Sequence, residues 1–543
     1  MSGRRKVAIY DTTLRDGSQG EGISFSGAAK IRAALRMDEF GIDYIEGGYA
    51  GSNPKDLAFF HEIRKHTLRH AKVAAFGSTR RAGIAVGEDD NVRRLIEADT
   101  PVVTIFGKSW MLHVHDVLRT TAEENRRMIG DTVRYLKERG REVIFDAEHF
   151  FDGYKDNAGF ALDMLQAAIE AGADTVVLCD TNGGALPHEV HGIAAEAVRR
   201  CAVPVGIHSH NDSGLAVATS LEAIRAGAAH LQGTINGYGE RTGNANLCTI
   251  IPTLELKLGV RTVPEGALKQ LRALSLFMDD LVNVRHDGKA PYVGESAFSH
   301  KAGMHVNAVQ KNPRTFEHIP PETVGNERRI LISEGSGASS VLLKAIEMGV
   351  DLKKSSPEVK DVLESLKALE REGYAYEAAD ASFRMLVQKV LNKHKSFFEL
   401  EGFRVIVEKI GAHGGCVSEA SVKVRVGGEV EHRVAEGDGP VNALDRALRK
   451  ALTRFYPQIE KVQLMDFSVR ILDPQEATAA KARVIIESGD GEETWGTVGV
   501  SGNIIEASWE ALVDSVEHKL FREEEKRRKG PEGKVRGSRG EGT

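Results

Sequence analysis

From the N-terminus to about residue 260 the sequence alternates short β-rich runs with amphipathic helical stretches, and this alternation constrains the fold more than any other feature. The runs are Val7 to Tyr10, Tyr44 to Glu46, Val73 to Phe76, Val102 to Phe106, Val143 to Phe145, Thr175 to Cys179, Val205 to Ile207 and Leu231 to Ile235. Repeated βα units build a parallel sheet. Eight of them in about 250 residues match a closed (β/α)8 barrel, whose active site lies at the C-terminal ends of its strands.

The unusual polar residues fall where that rule puts them. Strand one runs into Asp11-Thr-Thr-Leu-Arg-Asp-Gly-Ser-Gln19, strand two into Glu46-Gly-Gly-Tyr49, strand five into Asp146-Ala-Glu-His-Phe150 and strand six into Asp180-Thr-Asn-Gly-Gly184. Strand seven ends in His208-Ser-His210, and strand eight leads to Asn236-Gly-Tyr-Gly-Glu-Arg-Thr-Gly-Asn-Ala-Asn246. A purely structural barrel has no cause to collect carboxylates, imidazoles and amides on one rim.

In an extended strand, residues i and i+2 face the same way, so His208 and His210 can share a metal. Two unrelated buried histidines would give the same spacing. If a metal sits there, a carboxylate must come from another strand end. Asp16 is the leading candidate, because strand one neighbours strands seven and eight in a closed barrel. Asn244 can add an amide oxygen. Two nitrogen and two oxygen donors leave room for substrate and suit a divalent ion such as Mn, Zn, Mg or Co without choosing among them. A 2-oxo acid, chelating through its carboxylate and keto oxygens, is a natural ligand.

Arg15 can set a permanent positive charge over a developing oxyanion, or it can be a structural ion pair with Asp11, Glu46 or Glu148. Glu148 and His149 are placed to handle protons. Thr181 and Asn182 suit a substrate carboxylate, although Asn-Gly-Gly is also ordinary turn chemistry. Gln19 and Glu46 join Arg15 and Thr181 as candidate substrate contacts.

At 543 residues the chain is too long for one ordinary domain. The expected division is a catalytic barrel over 1–270, helical linker or lid subdomains over 271–395, an α+β domain over 396–520 and a disordered tail over 521–543. The C-terminal domain carries one pattern twice, at Val434 to Leu448 and at Val498 to Leu512: a strand end, a Gly-containing turn and an amphipathic helix. It therefore reads as a duplicated βββα unit with a pocket or dimer seam. A net charge of -6 offers no basic footprint for nucleic acid. No apolar run approaches a membrane span. The 4 cysteines form no CxxC pair, which fits a reducing cytoplasm.

Three of these stretches, Asp11 to Gln19, His208 to Asp212 and Gly233 to Asn246, resemble the 2-isopropylmalate synthase, homocitrate synthase and citramalate synthase family of metal-dependent aldolase barrels. Asp146 to Lys155, Cys179 to Gly184 and Pro320 to Arg329 look most like its citramalate-forming branch. The resemblance implies a condensation of acetyl-CoA with pyruvate, with 2-oxoisovalerate as the alternative acceptor; a retro-aldol lyase of the same barrel superfamily and a non-catalytic metal-dependent sensor are remoter readings. It implies Asp16, His208, His210 and Asn244 as the metal shell, Arg15 at the enolate or oxyanion, and Thr181 and Glu148 at the 2-oxo acid. It also implies a homodimer in which His305 enters the active site of the partner subunit, and isoleucine as an inhibitor at the C-terminal domain. Similar enzymes commonly carry Tyr where this chain has Phe316.

Overall fold

The computed structural model of the protein describes residues 5–51, 54–301, 303–331, 357–376, 378–409, 415–472 and 480–529. Residues up to Phe298 with Ile319–Arg328 form one compact unit, and Ser299–His318 with the residues from Arg329 onward form a second.

In the first unit, strands β1 (Ala8–Asp11), β2 (Tyr44–Tyr49), β3 (Lys72–Ser78), β4 (Val102–Lys108), β5 (Glu142–Glu148), β6 (Thr175–Asp180), β7 (Val205–Ser209) and β8 (His230–Gly233) form a closed barrel in chain order. The pairing of Ala8 with His230 through Asp11 with Gly233 closes it. Every residue of β6 and β7 is buried. Strands covered on both faces read as apolar runs rather than alternations, which is why all eight were visible in sequence. Their ends were not. β4 and β5 run on to Lys108 and Glu148, because backbone pairing continues where the side chains turn polar at the mouth. β8 stops early, at Gly233, as Asn236 adopts a left-handed conformation with φ 59° in the following turn.

The helices are set by local chemistry. Helix Gly27–Phe40 starts where Ser26 Oγ accepts from Ala29 N at 3.1 Å. It ends at Gly41, with φ 97°, where a Cβ would stand 2.1 Å from Pro264 Cδ. After the barrel strands come a short 3-10 turn, Ala267–Gln270, and helix Leu271–Val282.

In the second unit, β9 (Ser299–His300) pairs with β10 (Arg329–Ile330). β11 (Glu399–Lys409), β12 (Cys416–Val426) and β13 (Glu429–Gly437) make one antiparallel sheet followed by helix Pro440–Leu452. β14 (Gln463–Ile471), β15 (Ala482–Gly489) and β16 (Thr494–Ser501) repeat it, followed by helix Ile504–Lys529. The duplicated βββα unit is thus present. Its halves share one core, with Val422, Leu444 and Leu448 packed in the same cluster as Ile486, Leu512 and Val516. Helices Pro357–Glu372 and Asp380–Val390 cluster with Val498 and Val500 of β16. A cut at residue 395 would therefore divide a packed core. The last helix continues past residue 520 to Lys529, so 521–529 are helical rather than tail. Residues 530–543, the remainder of the expected tail, lie outside the described residues.

Candidate active site

The turn after β1 is wound tightly on one acceptor: the backbone N–H groups of Arg15, Asp16 and Gly17 all reach Thr12 O, at 3.2, 2.8 and 3.1 Å. This aims Asp16 across the barrel mouth at β7. Asp16 Oδ2 lies 3.3 Å from His208 Nε2 and 3.8 Å from His210 Nε2. All three side chains are buried, and one ligand atom from each falls within 4.8 Å of the others. Asn244, joined to His210 by a β-bridge, points Nδ2 at Asp16 Oδ2 (2.8 Å) while its Oδ1 is buried without a hydrogen-bond partner. A half-turn of that amide exchanges the two atoms and offers the oxygen to a cation. The donor set therefore fits a divalent ion.

Burial alone would push the Asp16 carboxyl up, but Arg15 beside it, with His208 and His210, holds it well below the usual carboxylate range. Burial pushes His210 down to about 4, keeping an imidazole neutral, as a metal ligand must be. Arg15 donates from Nε to Glu46 Oε1 at 2.6 Å, stands 3.2 Å from Asp16 Oδ1 and lies over the Phe76 ring at 3.7 Å. Burial opposes its charge, but Asp16 and Glu46 more than compensate.

A cavity of about 590 Å³ opens on this cradle, lined among others by Arg15, Asp16, Gln19, Glu148, Thr181, His208 and His210. Seven of the sequence candidates thus meet at one site. Thr181 Oγ1 accepts from His149 N at 3.0 Å, and Glu148 is ion-paired with Lys108. Glu46 is different from expectation. It is fully buried, receives Arg15 on one oxygen and the Tyr10 hydroxyl (2.6 Å) on the other, and does not line the cavity. Its place is behind Arg15, as an anchor, rather than against substrate. His305 belongs to the other compact unit, on the exposed side of helix Gly303–Lys311, stacked on Phe316 with ring centroids 4.0 Å apart.

Residues 6–277 match the HMGL-like family, 292–373 the homocitrate synthase post-HMGL domain-like family and 377–520 the LeuA allosteric (dimerisation) domain. The chain is 54% identical to an (R)-citramalate synthase of Aquifex aeolicus strain VF5, over 96% of this chain and 99% of that one. It is 52% identical to an (R)-citramalate synthase of Geobacter sulfurreducens, over 96% and 98%. The chain belongs to the (R)-citramalate synthase family. A 2-isopropylmalate synthase of Methanocaldococcus jannaschii is more distant, 30% identical over 96% of each chain.

Several residues around the site of this family member escaped the sequence reading. Lys108, on the end of β4, lay beyond the apolar run that marked the strand. Gln232 pairs in register with His208, and its side chain bridges His208 and Asp146. Arg241 makes a bidentate contact with Asp212 (2.7 and 2.8 Å) and reaches Thr181 O (2.9 Å) and His210 Nδ1 (3.0 Å). The register of β7 against β8 was the signal that could have found Gln232, since it sets that side chain beside His208.

Proposed function

We propose that the protein condenses acetyl-CoA with pyruvate to give (R)-citramalate and CoA, with a divalent ion at Asp16, His208, His210 and Asn244. The observation that carries this reading is one cavity that gathers Arg15, Glu148 and Thr181 around the Asp16/His208/His210 cradle in a chain similar to (R)-citramalate synthases along nearly its whole length. The ion, when bound, supplies Lewis-acid charge for the keto oxygen of a 2-oxo acid. Arg15, fixed by Glu46 and Asp16, adds a cation that cannot deprotonate at any working pH. Thr181 holds the substrate carboxylate.

Glu148 takes a proton from the acetyl methyl group, and Lys108 keeps its carboxylate placed for that transfer. The resulting carbanion attacks the keto carbon, forming the C–C bond, and the new alkoxide takes up a proton. Water then adds to the thioester carbonyl, the C–S bond breaks, and CoA leaves as the thiol with one water consumed. The stacked rings of Phe76 and Phe106, 5.4 Å apart beside Arg15, bound the space left for the 2-oxo acid's alkyl group.

We further read the duplicated module as the seat of homodimer formation and of inhibition by isoleucine. In that dimer His305 is assigned to the active site of the partner subunit. The cytoplasm is the assigned setting, and none of the helices among the described residues is long and apolar enough to cross a membrane. Thiol release from acetyl-CoA, measured with Mn2+ and a panel of 2-oxo acids, tests the substrate. The highest kcat/KM is expected with pyruvate, and a higher value with 2-oxoisovalerate would assign the isopropylmalate reaction instead.

A further inference from the structure

The two histidines of the cradle are held in different ways on their far sides. His208 Nδ1 lies 2.9 Å from Gln232 Oε1, and Gln232 Nε2 lies 2.9 Å from Asp146 Oδ1. Gln232 is fully buried, so both ends of its amide must be satisfied by protein. The amide nitrogen donates to Asp146 Oδ1, and the amide oxygen faces His208 Nδ1. That oxygen can only accept in turn, so His208 Nδ1 is the donor and carries a proton. Nε2, the nitrogen 3.3 Å from Asp16, is then the one left to meet a cation between the two side chains. His210 lacks such an arrangement: its Nδ1 faces Arg241 Nη2 at 3.0 Å, and a guanidinium can only donate, so Arg241 must shift before His210 Nε2 can give up its proton to ligate.

We infer that Gln232 is a positioning residue that presets His208 as a metal ligand, relaying the orientation of Asp146 on β5 through β8 to β7. This rests on the reading of Asp16, His208 and His210 as a metal cradle. Groups that hold the far nitrogen of a ligating imidazole raise metal affinity by about 10- to 100-fold. Here the holder is an amide with a carboxylate behind it, so the preset geometry belongs to the apoprotein and does not wait for the ion.

The test titrates metal-free full-length protein with Mn2+ by calorimetry. Gln232→Leu, of similar bulk, is expected to weaken Mn2+ binding by about 10- to 100-fold at unchanged far-UV circular dichroism. Gln232→Glu keeps an acceptor for His208 Nδ1, and the carboxyl pair it forms with Asp146 can share one proton; its Kd is expected to stay within about threefold of wild type, a rescue that packing alone would not give. An unchanged Kd for Gln232→Leu, or an equal loss in both variants, overturns the inference. Nitrogen-15 histidine spectra of the wild-type apoprotein give a readout that needs no variant to fold. A proton on His208 Nδ1 is expected, and an unprotonated Nδ1 contradicts the relay. If wild type takes up no Mn2+, the cradle reading fails, while the spectra still decide the role of Gln232.

Discussion

The barrel mouth and the duplicated C-terminal module bury opposite kinds of surface. The mouth buries Asp16, Asp146 and His208 in the wall of one cavity and Asp11, Glu46 and Gln232 behind it, where an ionised group loses its solvation and only its neighbours offset the loss. In the module, buried charges pair locally, as Lys519 with Asp490 and Arg384 with Glu525 at 2.6 Å each, and tie helix Ile504–Lys529 to its surroundings. The sheets meanwhile leave apolar side chains in solvent, among them Val407 at 53% exposure, Met465 at 61% and Ile471 at 49%. Exposed apolar surface, where it is contiguous, is what a second chain could cover. The contrast agrees with the proposed division, chemistry in the first region and assembly in the second.

The strongest way to break that assignment is to remove a cradle ligand. His208→Ala or Asp16→Ala is expected to abolish several kcal/mol of charge stabilisation, about a 10³-fold fall in kcat, with self-association unchanged by sedimentation. Glu148→Gln is expected to lower kcat by about 10²- to 10⁴-fold while Mn2+ affinity by calorimetry holds, separating base from ligand. Gly239→Ala displaces the Asn244 amide without replacing that residue. Gly239 has φ 156° and a Cβ there would stand 1.9 Å from Asn244 Oδ1, so calorimetry should read about a 10-fold or greater loss of Mn2+ affinity. On the module side, Val407→Glu with Ile471→Glu should yield a lighter species by sedimentation, and an unchanged assembly would remove the module from that role.

The smallest effect is in stability against pH. His230, fully buried at the base of β8 against the Tyr10 and Tyr44 rings, is pushed down to about 3 by burial, from the ordinary 6.5. Between those values the unfolded chain binds a proton that the folded barrel does not, so this group's contribution is complete above 6.5 and is lost as pH falls toward 3. The slope for one such group is about 1.4 kcal/mol per pH unit. His230→Phe should flatten the pH dependence of urea unfolding in that window, and an unaltered slope would deny that His230 is neutral in the fold.

Much of the first unit was legible because parallel strands buried on both faces announce themselves as apolar runs, and because an i, i+2 histidine pair needs only a strand to face one way. The second repeat was legible because a duplicated strand–turn–helix pattern carries its own check. What was hidden shares one cause: sequence fixes that a residue sits at the mouth, but not which partner it meets. Glu46 could not be told apart as a wall of the cavity or as the anchor behind Arg15. Lys108 was lost when β4 was ended with its apolar run, and Gln232 reads as an ordinary strand amide until β7 and β8 are placed in register. The packing of helix Asp380–Val390 on β16 across the expected boundary near 395 was hidden for a related reason, since it joins segments far apart in sequence.

The central claim is that Asp16, His208, His210 and Asn244 hold one divalent ion at the mouth of the barrel. Mn2+ titration of metal-free wild type beside the Asp16→Ala/His208→Ala double variant tests it most directly: one ion per chain in the first and none at that affinity in the second is expected, and an equal stoichiometry and Kd in both would contradict it.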